Sequence, residues 1–269
     1  MKKAAVVVPV YKPDLSNSER FSLERTLAVL EDYDIYLLYP KYLDPHPLLG
    51  HYEKLIAHPF PSRFFKSIKG YNKLMMSAGL YRSLQSYKYM LVVQLDALVL
   101  TNQLDQWCER NYSYIGAPWF DGHDDPTLPQ TMIGCGNGGF SLRRVEDFIK
   151  VLSSFRYLPN ISYKTKPDSK ILYFLKKVHS TLIFSYSFPP LRPTVNEDIF
   201  WGKIAPSRYD FFETPPPEVA ARFSFETQPS FLSDVLKGEI PFGCHGWEKY
   251  EPKFWREALE DLPKLTTEL

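Results

Sequence analysis

A chain of 269 residues with 32 Lys and Arg against 31 Asp and Glu carries a net charge of +1. That balance argues against a nucleic-acid binder, whose domains normally show a strong basic excess. The length suffices for one large α/β domain with a sizeable core, or for two small ones.

Cys108, Cys135 and Cys244 are widely spaced and form no CxxC pair. They read as free thiols of a reducing compartment, not as a disulfide framework or a zinc ribbon. The apolar stretch after Met1 is too short for a signal peptide and is interrupted by Pro9 and Lys12. No run reaches the length of a transmembrane helix. The expected location is therefore the cytoplasm. Aromatic residues make up 16% of the chain, which suits a sugar cleft as well as it suits a core.

In chain order, residues 4–10 read as a short buried strand and 18–31 as an amphipathic helix. A second strand spans 35–39 and ends at Pro40. Residues 43–65, with several prolines, read mainly as loop, with a short strand around Leu55–Ala57. Gly70 to Leu84 reads as one helix. Residues 89–100 are nearly all apolar and read as one central strand, covered on both faces, that carries Asp96. A carboxylate there is costly to bury unless it is paired or bound to a metal. Ligands in open α/β sheets lie at the carboxyl ends of strands, although an Asp capping the turn after a shorter strand fits the stretch equally well.

A short helix follows at 103–111, then a strand at 114–119 broken at Pro118. A polar loop over 120–133 carries Asp121, Asp124 and Asp125, and reads as an acidic loop able to close over a ligand. Residues 134–143 place four glycines before another strand, a density that signals positive φ or close backbone approach. Residues 145–155 return to helix. Residues 156–193 hold seven basic residues against Asp168 alone. This basic helical insertion reads either as a solvated hairpin or as a segment touching an anionic membrane face or a polyanionic acceptor. A helix opens at Thr194 or Asn196, 218–226 reads as helix or strand, 241–247 as a compact loop, and 251–262 as a terminal helix. The alternation of strand and helix predicts a mostly parallel central sheet flanked by helices. No internal repeat or linker divides the chain, so one α/β domain over 1–269 is expected.

Three polar clusters stand out against apolar surroundings: Asp96, Glu197-Asp198, and His245 between two glycines. A carboxylate and an imidazole can hold Mg²⁺ or Mn²⁺, and a neighbouring carboxylate can take a proton from a hydroxyl. Each cluster alone also has a structural explanation, since Glu-Asp at a helix start complements the helix dipole.

These segments carry a resemblance. Pro9-Val-Tyr, Gly70-Tyr-Asn-Lys73, the strand ending at Asp96, Gly138-Gly-Phe-Ser-Leu-Arg143, Glu197-Asp198 and His245 fall in the order seen in GT-A glycosyltransferases. Tyr114-Ile-Gly-Ala-Pro-Trp119, Gly136 to Arg143, Asn196-Glu-Asp198, Phe223-Ser-Phe-Glu226 and Pro241 to His245 resemble more closely a bacterial and fungal family of unknown function within that clan. The likeness spans roughly residues 4–250.

The resemblance implies a GT-A-like (Rossmann-like) fold and transfer of a sugar from a nucleotide-diphosphate donor, a UDP-sugar being favoured. The acceptor would be a glycan or lipid-linked oligosaccharide in surface polysaccharide synthesis, with the protein cytoplasmic or peripheral at the inner face of the membrane. It places Pro9, Val10, Tyr11 and Lys12 with Tyr39 and Lys41 around the base and ribose. Asn72 and Lys73 would approach the nucleotide and diphosphate. Asp96 would hold Mn²⁺ or Mg²⁺ with His245. Gly138 and Gly139 would let the backbone pass close to the sugar, and Ser141 would bond to it. Asp198 would be the general base of an inverting displacement, with Glu197 binding acceptor or exchanging roles with it. Trp119 and Trp247 would be sugar-facing walls or core. The chain departs from the clan at Gln94, where the first Asp of an Asp-x-Asp motif is expected. That departure keeps open a catalytically inactive nucleotide-sugar or glycan binder. A nucleotidyltransferase is the weaker alternative, because no glycine-rich loop follows Pro9.

Overall fold

The computed structural model describes residues 1–122, 129–154 and 196–260. The basic stretch 156–193, His123, Asp124, Asp125, Thr194 and the last two residues of the expected terminal helix lie outside the described residues. Helices cover both faces of a six-stranded sheet of order β3-β2-β1-β4-β9-β6. Its strands are β1 (Lys2–Pro9), β2 (Asp34–Pro40), β3 (Leu55–Phe60), β4 (Tyr87–Val93), β6 (Tyr114–Ile115) and β9 (Phe140–Arg144). The β1–β2, β1–β4 and β2–β3 pairs are parallel, whereas β9 runs antiparallel to both β4 and β6. The expected mostly parallel α/β sheet is therefore present.

The burial pattern follows from side-chain alternation along the strands. Val6 and Val8 of β1 face a core completed by Leu23 and Leu27 of α1 (Asn17–Val29) and by α5 (Leu104–Glu109). Ala5 and Val7 face the opposite core, filled from α3 (Ile68–Met75), α4 (Ala78–Ser83) and α6 (Val145–Leu152) and by Trp201. α1 begins with a capping box in which Ser16 accepts from the Glu19 amide and Glu19 accepts from the Ser16 amide. The three cysteines are buried and unbridged.

Several elements differ from their sequence expectation. A short helix, α2 (His46–Leu49), folds within the expected loop, and β3 is twice as long as anticipated because it pairs with Ile35–Pro40 of β2. The single helix over 70–84 is two, α3 and α4, broken at Met76-Ser77 although the apolar pattern runs through. The supposed strand over 89–100 is also two. β4 stops at Val93, the chain turns at Gln94–Asp96, and β5 (Ala97–Val99) joins a second sheet. Both halves are buried, so hydrophobicity alone does not reveal the turn between them.

The second sheet has order β10-β11-β5, from β10 (Ser224–Phe225), β11 (Gly243–His245) and β5. The stretch expected as a compact loop near His245 is thus a strand, antiparallel to β5 with His245 opposite Ala97. The 218–226 stretch uses both of its expected structures, as α9 (Pro217–Phe223) followed by β10. Two short strands, β7 (Pro118–Phe120) and β8 (Met132–Cys135), form a ribbon before β9. α7 (Glu197–Ile199) runs through a π-helical turn, Phe200–Ile204, into α8 (Ala205–Arg208). α10 (Pro229–Val235) and α11 (Pro252–Glu260) complete the described chain. No helix among the described residues is long and apolar enough to cross a membrane.

Candidate active site

The sheet order reverses between β1 and β4: β2 and β3 lie to one side of β1, and β4 and β9 to the other. The crevice outside the carboxyl ends of strands at such a switch point is where α/β sheets bind ligands. Pro9 ends β1 and leads into Val10 and Tyr11, and Tyr39 and Lys41 flank the last residue of β2, so these residues stand at the carboxyl ends of the two strands. Val10 and Tyr39 are buried, while Tyr11 is 59% exposed. Lys12 turns away to Glu19, at 2.7 Å.

Beyond β4 the turn is fixed on several sides. The Gln94 amide donates to Gly139 O at 2.8 Å, Ala97 N to Gln94 O at 3.0 Å, and Gly246 N to Asp96 O at 2.8 Å. The buried Arg25 of α1 donates to Val99 O at 2.7 Å and to Leu100 O at 3.0 Å, which anchors β5. Antiparallel pairing of β5 with β11 then brings His245 beside Asp96, although 148 sequence positions separate them. His245 Nε2 lies 3.2 Å from Asp96 Oδ1 and 3.3 Å from Gln94 Oε1. The Asp96 side chain is 56% exposed. These three atoms meet at the turn that follows the carboxyl end of β4.

The other imidazole nitrogen points inward. His245 Nδ1 is 2.9 Å from Glu226 Oε1 and 2.9 Å from Asn137 Nδ2. Glu226 stands level with His245 because β10 and β11 pair in parallel, Phe225 opposite Cys244. Asn137, at φ 72°, is oriented by its Oδ1, which accepts from the Gly139 amide at 2.7 Å. Burial works against charge on His245, but hydrogen bonds to Asp96 and Glu226 outweigh it and raise its pKa to about 10. Desolvation opposes ionisation of Asp96, yet the bond to His245 holds its carboxyl below the usual range. Among the described residues no three His, Cys, Asp or Glu side chains converge as a metal cage. The third donor here is an amide.

That donor set fits a small divalent cation. Adjacent ligands about 2.1 Å from an octahedral ion are about 3 Å apart, close to the two separations from His245 Nε2. A ligating His also commonly donates its other ring N–H to a carboxylate, the place that Glu226 occupies.

The acidic pair divides. Glu197 is 2% exposed and forms a two-pronged ion pair with the fully buried Arg143, Nη2–Oε1 2.9 Å and Nη1–Oε2 3.1 Å. The same guanidinium donates to Ser141 Oγ at 3.0 Å, Tyr81 Oη at 3.1 Å and Gly138 O at 3.2 Å. Both Glu197 oxygens and the Ser141 hydroxyl are therefore engaged inside the protein. Asn72, 8% exposed, also serves this corner, donating to Asn196 Oδ1 at 3.2 Å and accepting from the Glu197 amide at 3.4 Å. Asp198 is half-buried, and among the described residues its Oδ1 accepts only from the adjacent Ile199 amide, at 2.8 Å. Burial raises its pKa, and the Glu226 charge raises it further.

The two glycines separate these clusters. A Cβ on Gly138 would lie 1.8 Å from Glu197 Oε1, and one on Gly139 would lie 2.2 Å from His245 Cδ2 and Nε2. The close approach they permit is to the protein's own side chains. Trp119 lies against Gly136 and Gly202, and Trp247 stacks edge-on with Phe21, so both indoles are packing elements. Lys73, half-buried on α3, makes no ion pair among the described residues. The Tyr71 hydroxyl is buried and, among the described residues, has no hydrogen-bond partner of good geometry, though it is near enough to Gln94 to feel it, and burial holds its proton on.

Glu226, Asn137, Arg143 and Tyr71 all lie in segments quoted for the resemblance, yet none stood out as functional by residue type. Their signal was position within those blocks.

A family model described as a protein of unknown function, DUF5672, matches residues 54–245, more than half of the chain. No curated protein matches. Among solved structures, the chain is similar to mouse xyloside xylosyltransferase 1 in its apo form, with TM-score 0.46 at 10% identity, covering 91% of this chain and 97% of that one. It is similar to core-mannan synthase A of Aspergillus fumigatus in its Mn/GDP form, with TM-score 0.40 at 12% identity over 74% of this chain and 71% of that one. It is also similar to the glycosyltransferase GlyE of Streptococcus pneumoniae, with TM-score 0.49 at 11% identity, covering 96% of this chain and 60% of that one.

Proposed function

This chain belongs to the DUF5672 family of proteins of unknown function, and from the crevice at its β1–β4 switch point we propose that it is a glycosyltransferase. It would take a nucleotide-diphosphate sugar, a UDP-sugar foremost, and transfer the sugar with inversion to a glycan or lipid-linked acceptor at the inner face of the membrane. The observation that carries this reading is the convergence of Asp96, Gln94 and His245 at the carboxyl end of β4, with the Asp96 side chain 56% exposed, and with Asp198 close enough to Glu226 to feel its charge.

In this reading Pro9, Val10, Tyr11, Tyr39 and Lys41 form the nucleotide rim, and Lys73 reaches the diphosphate as a point charge. Asp96 and His245 would hold Mn²⁺ or Mg²⁺, with the Gln94 oxygen as a neutral third ligand. A bound divalent ion supplies charge neutralisation for the leaving diphosphate. Asp198 accepts the proton of the acceptor hydroxyl as its oxygen bonds to the anomeric carbon and the bond to the diphosphate breaks on the opposite face. A carboxylate of raised proton affinity suits that role. The orphan Tyr71 hydroxyl gains a partner from the bound ligand. Glu197, held by Arg143, fixes the start of α7 and so aims Asp198.

A second reading rests on His245 itself. Clamped between Asp96 and Glu226, the imidazole can serve as the site's cation, which describes a nucleotide-sugar binder without transfer. Incubation with a panel of nucleotide-sugars and Mn²⁺, with and without EDTA, separates the two readings. Release of nucleoside diphosphate that EDTA abolishes, with an inverted product anomer, is the expected result. Tight donor binding with no turnover on any acceptor favours the binder, and a product that keeps the donor's anomeric configuration refutes inversion.

A further inference from the structure

Charge is unevenly distributed along this nearly neutral chain. From residue 54 to residue 95 there is no Asp or Glu at all, and Arg63, Lys66, Lys69 and Lys73 fall within eleven residues. Several surface lysines elsewhere pair with acids: Lys2 with Asp34, Lys3 with Asp105 and Glu109, Lys12 with Glu19, and Lys54 with Glu31. None of the four cations between 63 and 73 makes an ion pair among the described residues.

Helix stability accounts for Lys73, in the last turn of α3, but not for the other three. Lys66 and Lys69 flank the start of α3, whose first turn holds no acid, and the helix dipole disfavours cations at that end. An apolar element lies among them. Ile68 is 78% exposed, and Phe64 and Phe65 beside it are half-buried. Arg63 lies over the Phe64 ring, 4.8 Å from its centroid. Unpaired cations around an exposed aliphatic side chain match the chemistry of an anionic bilayer surface, where phosphates meet the basic groups and the apolar side chain enters the headgroup boundary. A soluble acidic polymer would match the cations but leave Ile68 in water.

We propose that residues 63–69 form a docking surface for an anionic phospholipid membrane. The surface adjoins the candidate site, because Asn72, one turn on from Ile68 in the same helix, braces Asn196 and Glu197. Its occupant can be tested without any donor or acceptor, so the proposal stands or falls apart from the transferase reading.

The test is co-sedimentation of the full chain with vesicles of phosphatidylcholine alone, or mixed with phosphatidylglycerol, at low and high salt. The wild type is expected to bind the mixed vesicles and not the neutral ones, more weakly as salt screens the charges. Each basic residue near such a surface contributes roughly a factor of five. The triple variant Arg63→Ser, Lys66→Ser, Lys69→Ser should therefore lose about two orders of magnitude in partitioning while keeping the wild-type melting temperature. Ile68→Ser should weaken the binding that persists at high salt, and Lys253→Ser with Arg256→Ser on α11 should change nothing. Three results overturn the proposal: a wild type that ignores phosphatidylglycerol, a triple variant that binds like the wild type, and complete displacement by inorganic phosphate or heparin, which reassigns the surface to a soluble anion.

Discussion

Two polar clusters sit on either side of one pair of glycines, and they have opposite characters. On the Gly138 side, Arg143, Glu197, Ser141, Tyr81 and Asn72 are buried and bonded to one another until almost no donor is left over. On the Gly139 side, His245, Asp96 and Gln94 meet at 3.2 and 3.3 Å with the Asp96 side chain 56% exposed. The contrast separates architecture from chemistry. A charge whose partners are all internal has been compensated for burial, whereas one left facing a crevice is available to something else. The two members of the acidic pair, adjacent in sequence, fall into the different classes: Glu197 is saturated, and Asp198 is not.

The largest effect should come from breaking the closed cluster. Glu197→Ala leaves Arg143 charged and unpaired in the core, which costs about 3–5 kcal/mol in stability, read as a lowered midpoint in urea unfolding. Replacing both partners, Arg143→Met with Glu197→Leu, should recover most of that loss, because no buried charge remains. A Glu197→Ala protein as stable as the wild type would mean that this corner is not the keystone described. Asp198→Asn should do the reverse, leaving the urea midpoint unchanged. It should lower kcat by about 10²- to 10⁴-fold, the range that general-base catalysis contributes, while donor affinity by calorimetry is preserved. Retained turnover would end the base assignment.

Glu226 tests the open side through a residue that touches no ligand. Glu226→Gln removes the carboxylate behind His245, and such outer partners typically contribute 10- to 100-fold in metal affinity. Mn²⁺ titration followed by electron paramagnetic resonance should show a loss in that range with the fold intact. An unchanged affinity would place the cation elsewhere or remove it from the account.

The same contrast explains what was legible in the sequence. The parallel sheet and α1 could be read because short apolar runs and the amphipathic pattern over 18–31 are local signals. Asp96 could be singled out because a carboxylate in an apolar run is conspicuous. The break in that run at Gln94 could not, since Val93 and Ala97 are equally buried in two different sheets. Nor could the division of labour between Glu197 and Asp198 be read. It depends on Arg143 arriving from β9, 54 positions earlier. Glu226 was hidden for the same reason, as its role exists only once β10 and β11 lie side by side. Local chemistry is written in residue type, but saturation of a polar group is a property of the folded neighbourhood.

The smallest expected effect bears most directly on how the open side works. Asp198 must be ionised to accept a proton, and burial together with the Glu226 charge raises its pKa above the ordinary Asp value of 3.8. The acidic limb of kcat/KM, which reports the free enzyme, should therefore lie above the usual Asp range, with activity falling as pH drops through it. Glu226→Gln removes a like charge, lowers that pKa and should carry the limb to lower pH, even as it weakens Mn²⁺ binding. The two consequences have opposite signs for activity in acid, so a pH series at saturating Mn²⁺ distinguishes them. Glu197→Gln, in the closed cluster, should act mainly on stability. If the limb stays in place in Glu226→Gln, then Glu226 serves His245 alone, and burial by itself sets the proton affinity of Asp198.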